Sequence, residues 1–337
     1  MVLAATLSAA LVLCPPVARA AGGSENGPVT IKLGYTGSAD AGRNPAHGFA
    51  DRLKTRVAEQ SEGRVSLLLF PDDQLGSPRE LLDAESANLI MTIIPAAALE
   101  ELFPPARVAG LPFLLDTRDA ARSFYDESEF FARLREELRR ETGLQILAPV
   151  ESATAVGFSS AAGMLRSPAD FEDLVATSAG NRYTSVLEAF GATVVPGPPA
   201  GDAGTEPAGD IDVRVDTAEQ MLAAGIHAGF PDRTEAGLEY PRGYLVAAAA
   251  GLEALDPADR QAVAAAIPRA VEAHRAAMDE RRGTVRTALA GAGVTFYTPG
   301  PAEREEFRRI AQPAFIDELA SSVSPDWITL ALNGAAE

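Results

Sequence analysis

The sequence predicts an α/β protein of two units, on three observations. Between Val29 and Ile94, apolar residues recur first every two positions, then every four, giving strand, helix, strand, helix, strand. A second unit of the same kind begins near Ala155, after an interval with helical patterning. From Asp256 to about Ala290 one helical pattern persists, about 50 Å at ~1.5 Å per residue, longer than a single unit needs.

Val29 to Tyr35 alternates apolar and polar residues and reads as a strand; the small, polar run Gly34 to Gly42 after it reads as a loop. Phe49, Leu53 and Val57 share one face of a helix, with Gly63 as its expected C-terminal cap. Val65, Leu67 and Leu69 form the next strand, stopped by Pro71-Asp72-Asp73. Pro78 opens a short helix carrying Leu81 and Leu82, and Leu89 to Ile94 is a buried strand. Helices follow near 117–126 and 128–141, then a strand at Gln145 to Ala148. This order implies a mostly parallel sheet with helices on both faces.

In the second unit a helix spans Thr184 to Phe190, ends at Gly191 and leads into a strand at Thr193 to Val195. Pro196 to Gly209 is a Gly/Pro/Ala surface loop. Asp210 to Asp216 alternates strictly: Ile211, Val213 and Val215 point one way, Asp210, Asp212, Arg214 and Asp216 the other. Asp256 is a natural N-cap for the long helix, with Pro257 just inside; Pro268 is expected to kink it.

The chain has 337 residues, 47% of them hydrophobic, which is enough apolar surface for a core. A formal net charge of −18 argues against nucleic acid and anionic membranes as partners. Val2 to Val12 is an apolar run too short to span a bilayer, broken by Pro15-Pro16 and followed by Ala18-Arg19-Ala20. It reads as an export signal over 1–20 cleaved before Ala21, although no basic residue precedes the run. Residues 21–28 form a linker. Cys14 is the only cysteine, and the bulky Leu13 before it argues against a lipid anchor. The mature product is therefore expected to be periplasmic, without disulfides and without membrane insertion.

Little in the sequence points to catalysis. His47, His227 and His274 are far apart, lack metal-ligand spacing and read as surface residues. There is no G-x-S-x-G, P-loop or G-x-G-x-x-G motif. The Asp210, Asp212 and Asp216 face could attract a hard cation, but side chains on one short strand cannot surround an ion. It reads instead as a solvated face neutralised by Arg214. No catalytic residue, metal or cofactor is expected.

A set of motifs in order resembles the solute receptors of TRAP (tripartite ATP-independent periplasmic) transporters. It comprises Phe49 to Val57, Ser61-Glu62-Gly63-Arg64-Val65, Phe70-Pro71, Gln74-Leu75-Gly76-Ser77 and Arg79-Glu80-Leu81-Leu82. Gly110-Leu111-Pro112-Phe113-Leu114 and Arg118-Asp119-Ala120-Ala121 continue it, then Phe171-Glu172-Asp173-Leu174, Phe190 to Pro196 and Leu252 to Asp256. The resemblance covers residues 29–310 and weakens after 150. It implies a periplasmic-binding-protein-like fold: two α/β lobes, a ligand cleft between them and a long helix across both. It places 29–151 and 241–281 in lobe I, and 152–240 and 282–337 in lobe II. It also implies a small organic acid as ligand, captured by lobe closure, and TRAP-type membrane subunits as partners.

Family members hold a ligand carboxylate with an arginine on a second-lobe strand, a sound match of guanidinium to carboxylate geometry. Here that stretch, Val175 to Tyr183, is shortened, and its only arginine is Arg182, about two positions late. Arg182 is either the displaced clamp or a surface residue opening the next helix. A second family arginine has no counterpart in Ala153 to Phe158, and Asp216 stands where the family places an amide. Arg214 is a substitute positive charge. Tyr35, Asn44 and Asn181 complete the candidate ligand-contacting set. The altered second lobe also admits an alternative: an interaction or sensor protein with a degenerate pocket.

Overall fold

A computed structural model describes residues 29–83, 90–197 and 210–336. The export signal, linker 21–28, Cys14 and most of the 196–209 loop fall outside the described residues. The first part of the chain runs β1 (Val29–Tyr35), α1 (Pro45–Gln60), β2 (Val65–Phe70), α2 (Pro78–Asp83), β3 (Ile90–Pro95) and α3 (Ala96–Leu102). A 3₁₀ segment over Pro104–Gly110 leads to α4 (Arg118–Glu127), α5 (Glu129–Thr142) and β4 (Leu144–Glu151). The second part runs β5 (Val156–Ser160), β6 (Val175–Ser178), α6 (Thr184–Ala189), β7 (Thr193–Val194), β8 (Val213–Thr217), α7 (Ala218–Ala224) and β9 (Asp232–Thr234). The chain then returns through β10 (Arg242–Ala248), α8 (Ala249–Glu253), α9 (Pro257–Gly291), β11 (Thr295–Tyr297), α10 (Pro301–Leu319) and α11 (Pro325–Gly334).

Two sheets result. One has the order β2-β1-β3-β10-β4, the other β11-β9-β5-β8-β6-β7. In the first, β1 runs parallel to β2 and β3, and β10 runs antiparallel to β3 and β4. The late strand β10 thus joins the first sheet, so the chain passes from sheet to sheet at 152–155, at 235–241 and a third time along α9, between β10 and β11.

Local chemistry explains most elements. Asn44 caps α1, its Oδ1 accepting from Ala46 N at 3.1 Å. Phe49, Leu53 and Val57 are buried on one face of α1, against Val263, Ala266 and Ala270 of α9. The helix stops earlier than expected: Ser61 is its C-cap, and Gly63 (φ 79°) serves the turn beyond it. α9 is continuous through Pro268. Its first half packs on α1, while Val285 and Leu289 near its far end pack on Ala218 and Met221 of α7. The lobes also share apolar surface: Phe307 of α10 contacts Phe113 from the first part of the chain and Phe158, Phe171 and Phe190 from the second.

Two expectations about polar residues are corrected. The expected solvated face at 210–216 holds only at its start: Asp210 is exposed and Asp212 half-buried, but the strand itself begins at Val213 and all five residues of β8 are buried, with Arg214 4% and Asp216 7% exposed. β8 is an interior strand, between β5 and β6, with both faces covered. His274 is likewise no surface residue, at 1% exposure. It lies on the inward side of α9, edge-on to Phe49, and Nε2–H donates to the Glu151 carbonyl at 2.8 Å.

Candidate functional site

In open α/β folds ligands gather outside the carboxyl ends of parallel strands, where the chain switches direction. Here β1, β3 and β4 end around a cavity of about 280 Å³, bordered by Thr36, Asn44, Pro95, Ala97, Ser152 and Arg242. Ser152 lies in the first connection between the sheets and Arg242 opens β10 directly after the second, so the cavity lies at the lobe crossing. On the second sheet a smaller pocket is bordered by Thr177, Ser178, Arg214, Asp216 and Gln220. A larger open groove of about 890 Å³ lies between α5 and α9 along β4. It borders the first sheet alone and is not a cleft between lobes.

A network of buried charge joins the two lobes. Arg182, just after β6, gives Glu100 of α3 a two-pronged ion pair, Nη1 to Oε2 and Nη2 to Oε1, the latter at 3.0 Å. Its Nε donates to Glu239 Oε2 at 3.0 Å and Nη2 to Glu239 Oε1 at 3.3 Å. Tyr183 Oη also donates to Glu239, and Arg242 Nη1 reaches the same carboxylate at 3.5 Å. Arg242 Nε donates to Tyr244 Oη at 2.7 Å, and its guanidinium lies 4.1 Å from the Tyr125 ring centre. Gly110 makes room for this arrangement, because a Cβ there would overlap Arg182 Nη2.

The protonation states follow from burial and partners. Burial alone would lower the Arg182 pKa, but Glu239 and then Glu100 outweigh it and hold it well above its ordinary value. Burial would raise the Glu239 carboxyl, yet Arg182 and Arg242 hold it below the usual range. On β8, burial pushes the Asp216 carboxyl up despite Arg233, whose Nη1 donates to Oδ1 at 2.6 Å, and Ser159, whose Oγ donates at 2.8 Å.

The sequence-derived site residues therefore divide into groups. Arg214 and Asp216 share the pocket on the second sheet; Arg214 pairs in register with Thr177 of β6, so the two share a sheet face. Asn44 borders the cavity of the first sheet, with Nδ2 donating to Thr36 O and Ser38 O at 3.0 Å each. Tyr35 is buried at the end of β1, its hydroxyl 2.5 Å from His47 Nδ1. Asn181 is exposed, has φ 55°, and accepts from Gly197 N at 3.0 Å. Arg182 has carboxylate partners from the chain itself. Glu100, Glu239, Arg233 and Arg242 escaped the sequence reading. The close spacing of Glu239 and Arg242 around Pro241 was the one local hint of a pair. Among the described residues no group of three or more His, Cys, Asp or Glu could hold a metal ion, and no helix is long and apolar enough to cross a membrane.

Two sheets between which the chain crosses repeatedly, a helix along both and a cavity at the crossing give the bilobed architecture of a binding protein. Residues 36–321 match the family described as bacterial extracellular solute-binding protein, family 7, and the chain belongs to that family. It is a solute-binding family rather than an enzyme family. The C4-dicarboxylate-binding periplasmic protein DctP of Vibrio cholerae is 27% identical over 125 residues, 37% of this chain and 37% of that protein. The match thus spans little more than a third of the curated relative. A TRAP periplasmic solute-binding protein from Ochrobactrum anthropi superimposes with TM-score 0.81 at 19% identity, over 92% of this chain and 95% of that one. One from Rhodobacter sphaeroides, in an apo open form, gives 0.80 at 20% identity, over 91% and 99%. At these identities the structural likeness establishes the bilobed α/β fold.

Proposed function

We propose that this chain is the periplasmic receptor of a TRAP-type transporter and captures a small organic acid by closing its lobes on it. The observation that carries the reading is the cavity at the lobe crossing, bordered by the buried guanidinium of Arg242, together with a second buried guanidinium, Arg214, in the pocket of the second sheet. A guanidinium in a desolvated setting is a strong partner for a carboxylate. Arg214 holds the acid, in register with Thr177 on the strand where related receptors carry their clamp. Ser178 and Gln220 meet the remaining polar groups, while Asn44 bounds the opposite wall and Tyr35 supports it. Asp216, held by Arg233, shapes the pocket floor, and Asn181 fixes the turn that positions Arg182. The transporter's membrane subunits are the partner that receives the ligand. The acid-binding name of the Vibrio cholerae relative supports the class of ligand.

The test is thermal unfolding of the purified protein against organic acids, sugars, amino acids and amines. A ligand at 100 times its Kd adds about 2.7 kcal/mol of stability. One acid should raise Tm by several degrees, and Arg214→Ala should abolish the shift. A shift that survives Arg214→Ala removes Arg214 from the site; shifts produced only by amines or sugars refute the organic-acid reading.

A further inference from the structure

The wall of the cavity at the lobe crossing restricts what can lie against it. Ile93, Ile94 and Pro95 of β3, Ala97 of α3, Val150 of β4 and Pro45 of α1 give it an apolar lining. The two prolines bring no N–H. The polar side chains on the same wall are mostly turned to the protein. Thr36 Oγ1 donates to Asp73 Oδ1 at 2.8 Å. Asn44 directs both amide hydrogens to the Thr36 and Ser38 carbonyls, and its Oδ1 accepts from Ala46 N. Arg242 Nε bonds Tyr244, and Nη1 bonds the Tyr240 carbonyl and Glu239, which leaves Nη2 as the nitrogen without a partner. The Ser152 hydroxyl forms no hydrogen bond among the described residues.

A solute loses its water on entering such a place. A methylene gains by that loss, while a hydroxyl that finds no partner is penalised. The side chains of this wall leave one guanidinium nitrogen and one hydroxyl, which suits a single acid group and offers nothing to a row of hydroxyls. The reading above puts the ligand in this cavity, and the inference rests on it. We propose that the receptor selects acids with a hydrocarbon body and rejects polyhydroxylated acids of the same carbon count. The cavity holds about 280 Å³, below the roughly 300 Å³ at which small-molecule sites usually start, so the body is short. Ala97, half-buried on α3, is a specificity-determining residue, because its small side chain leaves the room that the hydrocarbon fills.

The test is calorimetric titration of the purified protein with 4-methylpentanoate, gluconate and glucuronate, which match in carbon count, and with butyrate as a shorter acid. Wild type should bind 4-methylpentanoate about a hundredfold or more tighter than either sugar acid. Ala97→Leu, at a helical position that tolerates leucine, should weaken 4-methylpentanoate about tenfold and leave butyrate within about twofold. Ala97→Ser keeps the room and adds a hydroxyl, and should narrow the preference over gluconate several-fold. Wild-type binding of gluconate or glucuronate as tight as that of 4-methylpentanoate overturns the inference and leaves an acid receptor standing. So does an Ala97→Leu variant that affects the long and short acids alike, or an unchanged preference in Ala97→Ser. Binding of none of these acids also overturns it, and binding of neutral or cationic solutes alone brings down the proposed function as well.

Discussion

Replacing Arg182 by alanine should destabilise the protein more than any exposed ion pair could explain. Among the described residues, both hydrogen bonds accepted by the Glu100 carboxylate come from Arg182, and Glu100 is only 8% exposed. Without Arg182 that carboxylate is stranded beside apolar α3 neighbours. Glu239 fares better, because Tyr183 and Arg242 still bond it. One carboxylate is thus orphaned rather than two. Breaking a buried pair costs about 3–5 kcal/mol, and the partial exposure of the Arg182 side chain points to the lower end, about 3 kcal/mol. Urea unfolding at pH 7 of wild type, Arg182→Ala, Glu100→Gln and the double variant supplies the measurement. The double variant should recover much of the loss, with a coupling of about 2 kcal/mol. A loss below about 1 kcal/mol for Arg182→Ala, as an exposed pair would give, refutes the reasoning. The same argument makes Arg182→Ala a poor probe of ligand binding, since it perturbs the lobe junction as well as the cleft.

Three further outcomes are expected. Burial lowers the His274 pKa to about 4, so the folded protein holds it neutral where the unfolded chain binds a proton. Its contribution is complete above the unfolded value of about 6.5 and is lost as pH falls toward about 4, with a slope approaching 1.4 kcal/mol per pH unit; His274→Gln, read by urea unfolding across that range, should flatten it. Asp216→Ala leaves Arg233, at 1% exposure, without its carboxylate and should cost about 3 kcal/mol or more in urea unfolding, while Asp216→Asn should cost less because the amide oxygen still accepts. A Cβ on Gly243 would stand 2.7 Å from the Ile94 carbonyl, in the β10–β3 ladder beside the cavity. Gly243→Ala should therefore lower stability by about 1–3 kcal/mol in thermal unfolding, and an unchanged Tm would show that the ladder yields.

Much of the architecture was legible because it depends on neighbours a few residues apart. The period of Phe49, Leu53 and Val57 marked α1, the alternation after Val29 and Val65 marked β1 and β2, and Pro257 with the long apolar pattern marked α9. The stretch from Ala96 to Gly110 was missed. α3 is only seven residues long and opens after Pro95 without a side-chain cap, so no start signal separates it from β3. β8 was found as a strand, but its polar face was misjudged: alternation fixes which residues share a face and is silent on what covers that face.

The sequence by itself determined that this is a two-unit α/β chain with a spanning helix, and its ordered motifs pointed to the solute-receptor family. Only the tertiary structure decided which charges meet. Arg182 lies 82 residues from Glu100 and 57 from Glu239. No local pattern encodes such separations. The partners come together because β10 returns to the first sheet and carries Arg242 and the segment before it back to the lobe crossing. There burial forces each charge to find a partner, and packing chooses which one.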